Sequence, residues 1–551
     1  MDSDLIDEIK SFIKGDVAND IITLDKFSHD ASIFEVKPQL VVFPKDSSDV
    51  KNLVKFVNKN KQNYPELSLT ARSAGTDMAG GPLNDSIIIS FDRYFNRFVS
   101  LKNDVATAEP GMYYRDFEKK TLEKDLLFVS YPASKSICAI GGIVSNNSGG
   151  EKSLEYGKTE KFIESLKVIL SDGNEYIVKP LSKNQLREKI ARDNFEGQIY
   201  GKIFTLIDQN YELLQKTRPK VSKNSAGYFL WNVYNKKKQI FDLTQLFVGA
   251  QGTLGLITEA SLKLNPVKRH AQMMIIFLSD LENLAKITES VLPLEPESFE
   301  AYDDNTLKLA VRFFPYFAKS LGAKHLIKTA WDFLPEFFLL LMGGLPKLIL
   351  QVEFTSDDKK EIDFKIDKLQ NILKPFNLKT KIAKSKSAAK KYWSIRRESF
   401  NLLRHKIRDK HTAPFIDDFV VSPHYLTEFL PKLYKIFEKY PSLIYTIAGH
   451  VGDGNFHIIP LMNIENPKER EIIPKLSEEV YDLVLKYHGS ITGEHNDGLV
   501  RTPYLKKMYG TKICEIFEET KRIFDPLCVF NPRKKTGADL PFAMKHIRTS
   551  W

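Results

Sequence analysis

The residues best suited to metal binding or catalysis are two histidines and a carboxylate near the C-terminal end. His450 and His457 flank the segment VGDGNF, and Glu494 and His495 follow in the segment GEHNDG. Two imidazoles and one carboxylate form a ligand set for zinc, iron or manganese that leaves positions open for a substrate. A pair of histidines alone is more often structural. The polar, glycine-flanked Glu494-His495 favours a divalent metal, with zinc as the first candidate.

Three glycine-rich segments in the first half of the chain could hold a nucleotide. Glycine permits positive φ and leaves no Cβ in the way, so successive backbone N–H groups can converge on an anion. None of the segments is a lysine-containing phosphate loop or the G-x-G-x-x-G of a Rossmann unit. One such segment is compatible with a tight turn alone, but three together favour a binding site. The segments are RSAGTDMAGG (72–81), GGIVSNNSGG (141–150) and GAQGTLG (249–255).

These residues need elements that bring them together. The apolar runs LIYTI and IIPLM flank the Gly-Asp-Gly-Asn turn and predict a hairpin in which His450 and His457 could face each other. LVVFPKDSSDVKNLVKF predicts a strand and an amphipathic helix, and LSLTARSAG predicts a strand that enters the first glycine segment. Beyond Pro266, the pattern indicates an α+β unit with an antiparallel sheet. An aromatic stretch at about 310–345 interrupts this unit, either as a packed helical insertion or as a surface helix that touches a membrane or partner.

Composition limits the class of protein. The 551 residues are 42% hydrophobic and 27% charged, which excludes a disordered chain, and the net charge of +10 permits an anionic ligand or membrane surface. The three cysteines exclude a four-cysteine iron–sulfur or zinc site in this sequence. The start MDSDLIDEIKSF is not a secretory signal, so we expect a cytoplasmic protein that could touch the inner face of a membrane. No basic-aromatic motif indicates nucleic-acid binding.

The glycine segments resemble the FAD-binding domain of the vanillyl-alcohol-oxidase-type flavoproteins. The motifs are PQLVVFPKDSSDVKNLVKF, RSAGTDMAGG, ICAIGGIVSNNSGGEKSLEYGKT and LFVGAQGTLGLITEASL, in the same order and spacing. The resemblance implies an α+β fold with a two-subdomain FAD-binding domain and an α+β substrate cap with an antiparallel sheet. No histidine lies between Arg72 and Gly81, so we expect non-covalent FAD. The residues that the resemblance assigns to FAD are Ser73, Gly75, Thr76, Asp77, Gly141, Gly142, Ser145, Asn146, Gly149, Ile257 and Asn531.

The motifs also predict the domain organisation. We expect an N-terminal helical lead-in at 1–30 and an FAD-binding domain at 31–267. A substrate cap follows at 268–500, with a helical insert at about 310–345. The segment 501–551 is expected to be helical and to return to the FAD domain.

The histidine segments resemble the branch of this family that oxidises D-2-hydroxy acids, and most closely its D-lactate dehydrogenase and glycolate oxidase flavin-subunit members. The resemblance implies that His450, His457 and Glu494 bind a divalent metal and that His495 is the base at the substrate. Arg396 in the segment WSIRRE corresponds best to the arginine that binds the substrate carboxylate, with Arg397 as the other candidate. Both could instead lie on a solvated helix face. Ile459 stands where the 2-hydroxyglutarate enzymes usually have an asparagine.

The implied reaction is oxidation of a D-2-hydroxy acid, D-lactate or glycolate first, to the 2-oxo acid. His495 would take the hydroxyl proton with help from the metal, and hydride would pass to flavin N5. Because the sequence contains no C-x-x-C, we expect a separate acceptor: a quinone, a cytochrome, an electron-transfer flavoprotein or an iron–sulfur subunit. The alternatives are a D-2-hydroxyglutarate dehydrogenase, a non-catalytic FAD-binding subunit, or an alkyl-glycerone-phosphate-synthase-like transferase, although the histidine run of that last group is missing here.

Overall fold

A computed structural model describes residues 1–312, 346–385, 388–397 and 410–550. The insert expected at about 310–345 lies almost entirely outside the described residues. The helices of eight or more residues for which both ends are described are Ser3–Phe12, Ser47–Asn60, Tyr114–Leu122, Lys183–Ile190, Phe195–Gln209, Leu284–Val291, Asp304–Arg312, Lys359–Leu373, Leu426–Phe437, Ile472–Lys486 and Leu505–Phe524.

A four-stranded mixed sheet leads into the first glycine segment. Its strands lie in the order Asp16–Ala18, Leu40–Phe43, Ile87–Ser90 and Leu69–Arg72, the last three parallel. The helix Ser47–Asn60 buries Val50, Leu53 and Val54 because the i, i+3, i+4 spacing places them on one face. The helical lead-in expected at 1–30 includes the helices Ser3–Phe12 and Ile21–Phe27, and between them the strand Asp16–Ala18 pairs with Leu40–Phe43 and extends this sheet.

A five-stranded antiparallel sheet combines strands from before and after the second glycine segment with one strand that follows the third. Its strands lie in the order Phe98–Lys102, Val105–Ala108, Leu256–Lys263, Ile163–Ile169 and Glu175–Val178. The strand Leu256–Lys263 lies at its centre and starts directly after the third glycine segment. The sheet therefore anchors one end of that segment.

An eight-stranded antiparallel sheet forms the second half of the molecule, which confirms the predicted antiparallel cap sheet. Seven strands form the continuous path Lys379–Ala383, His270–Leu278, Leu348–Ser356, Ser298–Asp303, Ile444–His450, Asn455–Met462 and His411–Thr412, and Phe419–Val420 pairs separately with Asn455–Met462.

The two faces of this sheet have different roles. Phe299 and Ala301 pack into the large core with the helices Leu284–Val291 and Lys359–Leu373. Because side chains alternate along a strand, Glu300 points to the opposite face. The sheet thus turns the face with Glu300 towards the FAD-binding half, and Tyr392, Trp393 and Ile395 pack on this same face beside Tyr302.

The C-terminal segment packs against the first half of the chain. Phe524, at the end of the helix Leu505–Phe524, makes an edge contact with Phe247, with ring centroids 5.4 Å apart. Phe530 then forms a parallel bridge with Leu69, the first residue of the strand that enters the first glycine segment. Among the described residues, no helix is both long and apolar enough to cross a membrane.

Candidate active site

One cavity of ≈ 750 Å³ collects the predicted residues from both halves of the chain. This volume lies within the range of about 300–1,000 Å³ typical of cofactor and ligand sites. Its lining includes ten of the eleven predicted FAD residues, namely Ser73, Gly75, Thr76, Asp77, Gly141, Gly142, Ser145, Asn146, Gly149 and Ile257. It also includes Arg396, Arg397, His450, His457, Glu494 and His495.

Side-chain hydrogen bonds tie the three glycine segments together around this cavity. Asn146 of the second segment donates through Nδ2 to Asp77 Oδ1 of the first at 2.7 Å. Gln251 of the third segment donates through Nε2 to Asn146 Oδ1 at 3.3 Å, and Asp77 Oδ2 accepts from the Gly81 N–H at 2.6 Å. These hydrogen bonds therefore hold the three segments next to one another around the cavity.

Asn531 lies outside the lining of the cavity. It is buried, and its Nδ2 donates to the carbonyl oxygens of Gly81 at 3.0 Å and Gln251 at 2.6 Å. Its contribution to a cofactor site in this structure is therefore indirect, since it fixes two glycine segments to the C-terminal segment.

The predicted histidine hairpin is confirmed. The strands Ile444–His450 and Asn455–Met462 pair antiparallel around a short turn in which Gly454 has a φ of 67°. His450 pairs with Asn455 and His457 with Ala448, which puts both imidazoles on the same face of the sheet. Their ring centroids lie 5.3 Å apart.

A buried aspartate that the sequence analysis did not single out shapes the loop with Glu494 and His495. Asp418 Oδ2 accepts hydrogen bonds from the backbone N–H groups of Gly493, Glu494 and His495 at 3.0, 2.8 and 2.7 Å. The same oxygen accepts from Thr492 Oγ1 at 2.6 Å. Because this carboxylate is occupied by the loop backbone, we assign it to holding the loop.

The ligand atoms fit a divalent metal. His450 Nε2 lies 3.5 Å from Glu494 Oε1, and ligand atoms of Asp418, His457, Glu494 and His495 lie within 4.8 Å of one another. All of these except His495 are buried. Since Asp418 is engaged with the loop backbone, the set His450, His457 and Glu494 remains the best candidate.

Two buried carboxylates contact the Nδ1 atoms of the histidines. Glu300 Oε1 accepts from His450 Nδ1 at 2.6 Å, and its Oε2 lies 2.8 Å from Arg396 Nε. Asp417 Oδ1 contacts His457 Nδ1 at 3.2 Å, and its Oδ2 lies 2.7 Å from His495 Nδ1. Neither carboxylate was a candidate in the sequence, where each is one acidic residue among 70.

The carboxylates around His495 control its protonation. Burial alone lowers the pKa of His495, but the charges of Asp417 and Asp418 outweigh it and raise this pKa to about 9. Burial likewise raises the pKa of Asp417, but His495 and His457 hold it well below its usual range. Because a nearby positive charge disfavours an imidazolium, we expect a cation at the neighbouring ligands to bring the pKa of His495 down.

A buried lysine completes the charge balance. Lys223 Nζ lies 2.6 Å from Glu494 Oε1 and 3.0 Å from Asp453 Oδ2. Burial alone would lower the pKa of Lys223, but these two carboxylates raise it above its ordinary value. Lys223 therefore stays charged, and it holds Glu494 ionised and oriented.

The two adjacent arginines differ in their surroundings. Arg397 forms a forked ion pair with Glu151, through Nε at 3.1 Å and a terminal nitrogen at 2.5 Å. Arg396 is buried, lines the cavity and lies against Glu300. Both arginines thus line the cavity and pair with a carboxylate, and both remain candidates for holding a ligand carboxylate.

The geometry defines a cavity that glycine segments line on one side and that a histidine–carboxylate cluster and an arginine close on the other. Residues 38–178 match the FAD binding domain family, and residues 267–535 match the C-terminal domain of FAD linked oxidases. The chain belongs to the FAD-linked oxidases, which confirms the predicted family.

The similar curated proteins act on hydroxy acids according to their names. A D-2-hydroxyglutarate dehydrogenase from Pseudomonas putida is 24% identical over 95% of this chain, which spans about half the length of that relative (51%). Glycolate oxidase subunit GlcD of Bacillus subtilis is 23% identical over 93% of the chain and 92% of its own length. The mitochondrial D-lactate dehydrogenase [cytochrome] 1 of Saccharomyces cerevisiae is 23% identical over 92% of the chain and 74% of its own length.

Solved structures confirm the fold class. A 4-ethylphenol oxidase from Gulosibacter chungangensis superposes with a TM-score of 0.68 at 15% identity, over 97% of both chains. An alkyldihydroxyacetonephosphate synthase superposes with a TM-score of 0.65 at 15% identity, over 97% of this chain and 85% of its own. At such identities these likenesses define the α+β flavoprotein fold.

Proposed function

We propose that this chain carries the flavin-reducing site of an FAD-dependent D-2-hydroxy-acid dehydrogenase. The observation that carries the proposal is that a histidine base, a metal-ligand set and a buried arginine all line the cavity that the FAD-binding segments also line. The names of the similar curated proteins support the same substrate class. A flavin bound along the glycine segments would accept the hydride that leaves the α-carbon.

The residues around the cavity fit a dissociable FAD. A Cβ added at Gly142 would meet no other atom within 4 Å, so this segment leaves open space where a cofactor can approach the backbone. Burial raises the pKa of the lining residue Cys138 to about 12, so its thiol stays protonated and is a poor nucleophile for a covalent flavin link.

Each polar residue has a defined task in this proposal. Arg396 holds the substrate carboxylate, since a guanidinium matches a carboxylate bidentately. His450, His457 and Glu494 would hold the divalent metal, zinc first and manganese or iron as alternatives, and the metal would supply a Lewis acid beside the substrate hydroxyl. His495 takes the hydroxyl proton at Nε2, because Asp417 beside Nδ1 favours a proton on Nδ1.

The residue at position 459 supports a substrate with one carboxylate. Ile459 lines it and offers no hydrogen-bond donor to a second carboxylate. We therefore propose D-lactate or glycolate as the substrate. D-2-hydroxyglutarate is the second candidate, because several curated relatives carry that name.

A separate acceptor must reoxidise the flavin in this proposal. The name of the yeast relative specifies a cytochrome. We propose a cytochrome, a quinone, an electron-transfer flavoprotein or an iron–sulfur subunit for this role.

Steady-state turnover tests the proposal. The FAD-loaded protein should convert D-lactate, glycolate or D-2-hydroxyglutarate to the 2-oxo acid in the presence of an artificial electron-accepting dye, and the L-enantiomers should be poor substrates. The amount of 2-oxo acid formed, quantified by chromatography, should equal the amount of dye that is reduced. FAD-loaded protein that forms no 2-oxo acid from any of these compounds would overturn the proposal.

A further inference from the structure

Two buried carboxylates connect the candidate metal ligands to the residues that would touch the substrate. Glu300 lies between His450 and Arg396, and it is 1% exposed. Asp417 lies between His457 and His495, and it is fully buried. Each of the two metal histidines thus shares one carboxylate with a substrate-facing group.

The contacts fix which imidazole nitrogen carries the proton. A carboxylate only accepts hydrogen bonds, so Glu300 and Asp417 favour N–H at Nδ1 of His450 and His457. The Nε2 atoms then keep their lone pairs for a metal, and ligating histidines are commonly oriented in this way by carboxylates behind them. Of these, His450 Nε2 lies 3.5 Å from Glu494, the third ligand.

The second oxygen of each carboxylate lies beside a residue that would contact the substrate. Glu300 Oε2 lies 2.8 Å from Arg396 Nε and forms a buried ion pair with this guanidinium. Asp417 Oδ2 holds Nδ1 of His495, which leaves Nε2 to accept a proton. The distance between the metal site and Arg396 therefore depends on Glu300, and the distance between the metal site and His495 depends on Asp417.

We propose that Glu300 and Asp417 are paired positioning residues. Glu300 couples the metal site to Arg396, which would bind the substrate carboxylate, and Asp417 couples the metal site to the base His495. This inference rests on the proposed function. It predicts that the two carboxylates act on different kinetic constants although both support the metal. A merely structural role would not produce this split.

The test uses three full-length, FAD-loaded variants with side chains of nearly unchanged size. Glu300→Gln should weaken zinc binding about 10- to 100-fold and raise KM several-fold, with kcat changed less. Asp417→Asn should weaken zinc similarly and lower kcat about 10²-fold with little change in KM, because its amide can hold His495 in the tautomer with the proton on Nε2.

The matched control is Glu353→Gln. Glu353 is a carboxylate on the strand next to Glu300, and it lies 3.4 Å from Trp393 Nε1, away from both histidines. We expect zinc affinity and both kinetic constants to match those of the wild type. Zinc affinity is measured by competition with a chromogenic chelator without substrate, and flavin content and melting temperature show that each variant is folded.

A measurement on the wild type keeps the inference testable if a variant does not fold. In the zinc-loaded protein, ¹⁵N-histidine NMR should show His450 and His457 bound through Nε2 with protonated Nδ1. Ligation through Nδ1, or zinc affinities for Glu300→Gln and Asp417→Asn within twofold of the control, would overturn the inference. A wild type that binds no zinc and oxidises no hydroxy acid would instead overturn the proposed function.

Discussion

At the scale of single residues, the chemistry depends on how neighbours set the protonation of His495. Its Nδ1 lies 2.7 Å from Asp417, and the paired aspartates raise its pKa to about 9 in the metal-free protein. In the proposed mechanism, the positive charge of a metal at the neighbouring ligands would lower this pKa, so that His495 could act as a base at neutral pH.

His495→Ala should retain the flavin spectrum but slow flavin reduction. Removal of a general base typically costs about 10²–10⁴-fold in rate. Anaerobic stopped-flow spectroscopy measures the rate directly. His424→Ala is the control, because His424 is exposed and pairs with Glu289 rather than with a residue of the cluster. Rapid reduction in His495→Ala would remove this residue from the role of base.

Sequence analysis could find the ligands but not their supports. His450, His457, Glu494 and His495 stand in short glycine-flanked motifs, so their types and spacing indicate a site. Glu300 stands in an ordinary strand pattern, and nothing local distinguishes it from an exposed acidic residue. Its role appears only when strand pairing brings it beside His450.

At the scale of elements, the site is built where loops meet the end of a hairpin. The hairpin of residues 444–462 fixes the two histidines, and Asp418 gathers three successive backbone N–H groups of the loop with Glu494. The glycine segments were recognisable in the sequence because of their composition. The Asp77–Asn146–Gln251 hydrogen bonds that unite them were not, because they join residues far apart in the chain.

Asp418→Asn should loosen the Glu494 loop. Hydrogen bonds to a charged acceptor each contribute about 1.5–3 kcal/mol. The asparagine amide would also place its own N–H group opposite the backbone N–H groups of the loop. We expect a loss of about 2–4 kcal/mol of stability and weaker metal binding, with the flavin retained. Hydrogen exchange at residues 493–495 measures the loosening, and unchanged protection there would contradict this role for Asp418.

Gly142→Val should displace FAD and leave the protein folded. The added side chain projects from a position with no neighbouring atom within 4 Å, so the apoprotein should change in stability by less than about 1 kcal/mol. The cavity space required by FAD is reduced, so flavin content and affinity should fall. Gly201→Val is the control, since a Cβ there meets only Ile190 at 3.5 Å, away from the cavity. Normal flavin affinity in Gly142→Val would contradict the assigned flavin position.

At the scale of the whole molecule, buried charges join the two halves of the chain. Lys152 of the FAD-binding half lies 2.7 Å from Glu297 of the cap, and Glu151 pairs with Arg397. The apolar runs and helix pattern beyond Pro266 predicted the cap sheet but not this interface. We propose the division into an FAD-binding part, a cap and a returning C-terminal segment at the predicted bounds, with residues 1–30 joined to the first part.

The interface predicts a pH-dependent stability. Burial, with the charge of Glu297, raises the pKa of Glu353 from 4.5 to about 7. The unfolded chain therefore loses the Glu353 proton at lower pH than the folded chain, and stability falls as pH rises from about 4.5 to 7. Glu353→Gln should remove up to about 3 kcal/mol of this fall.

Chemical denaturation of the FAD-loaded protein at pH 5 and pH 8 measures the effect. The exposed Glu282→Gln variant should follow the wild type at both pH values. Parallel behaviour of Glu353→Gln and wild type would show that Glu353 is ionised at both pH values in the folded protein.

Anaerobic reduction of the bound flavin by a hydroxy acid tests the central claim most directly, because it requires no electron acceptor. We predict that D-lactate, glycolate or D-2-hydroxyglutarate bleaches the flavin absorbance of the zinc-loaded wild type within seconds to minutes, and that the L-enantiomers leave it intact. A flavin that binds in the cavity but stays oxidised with every one of these acids would contradict the account.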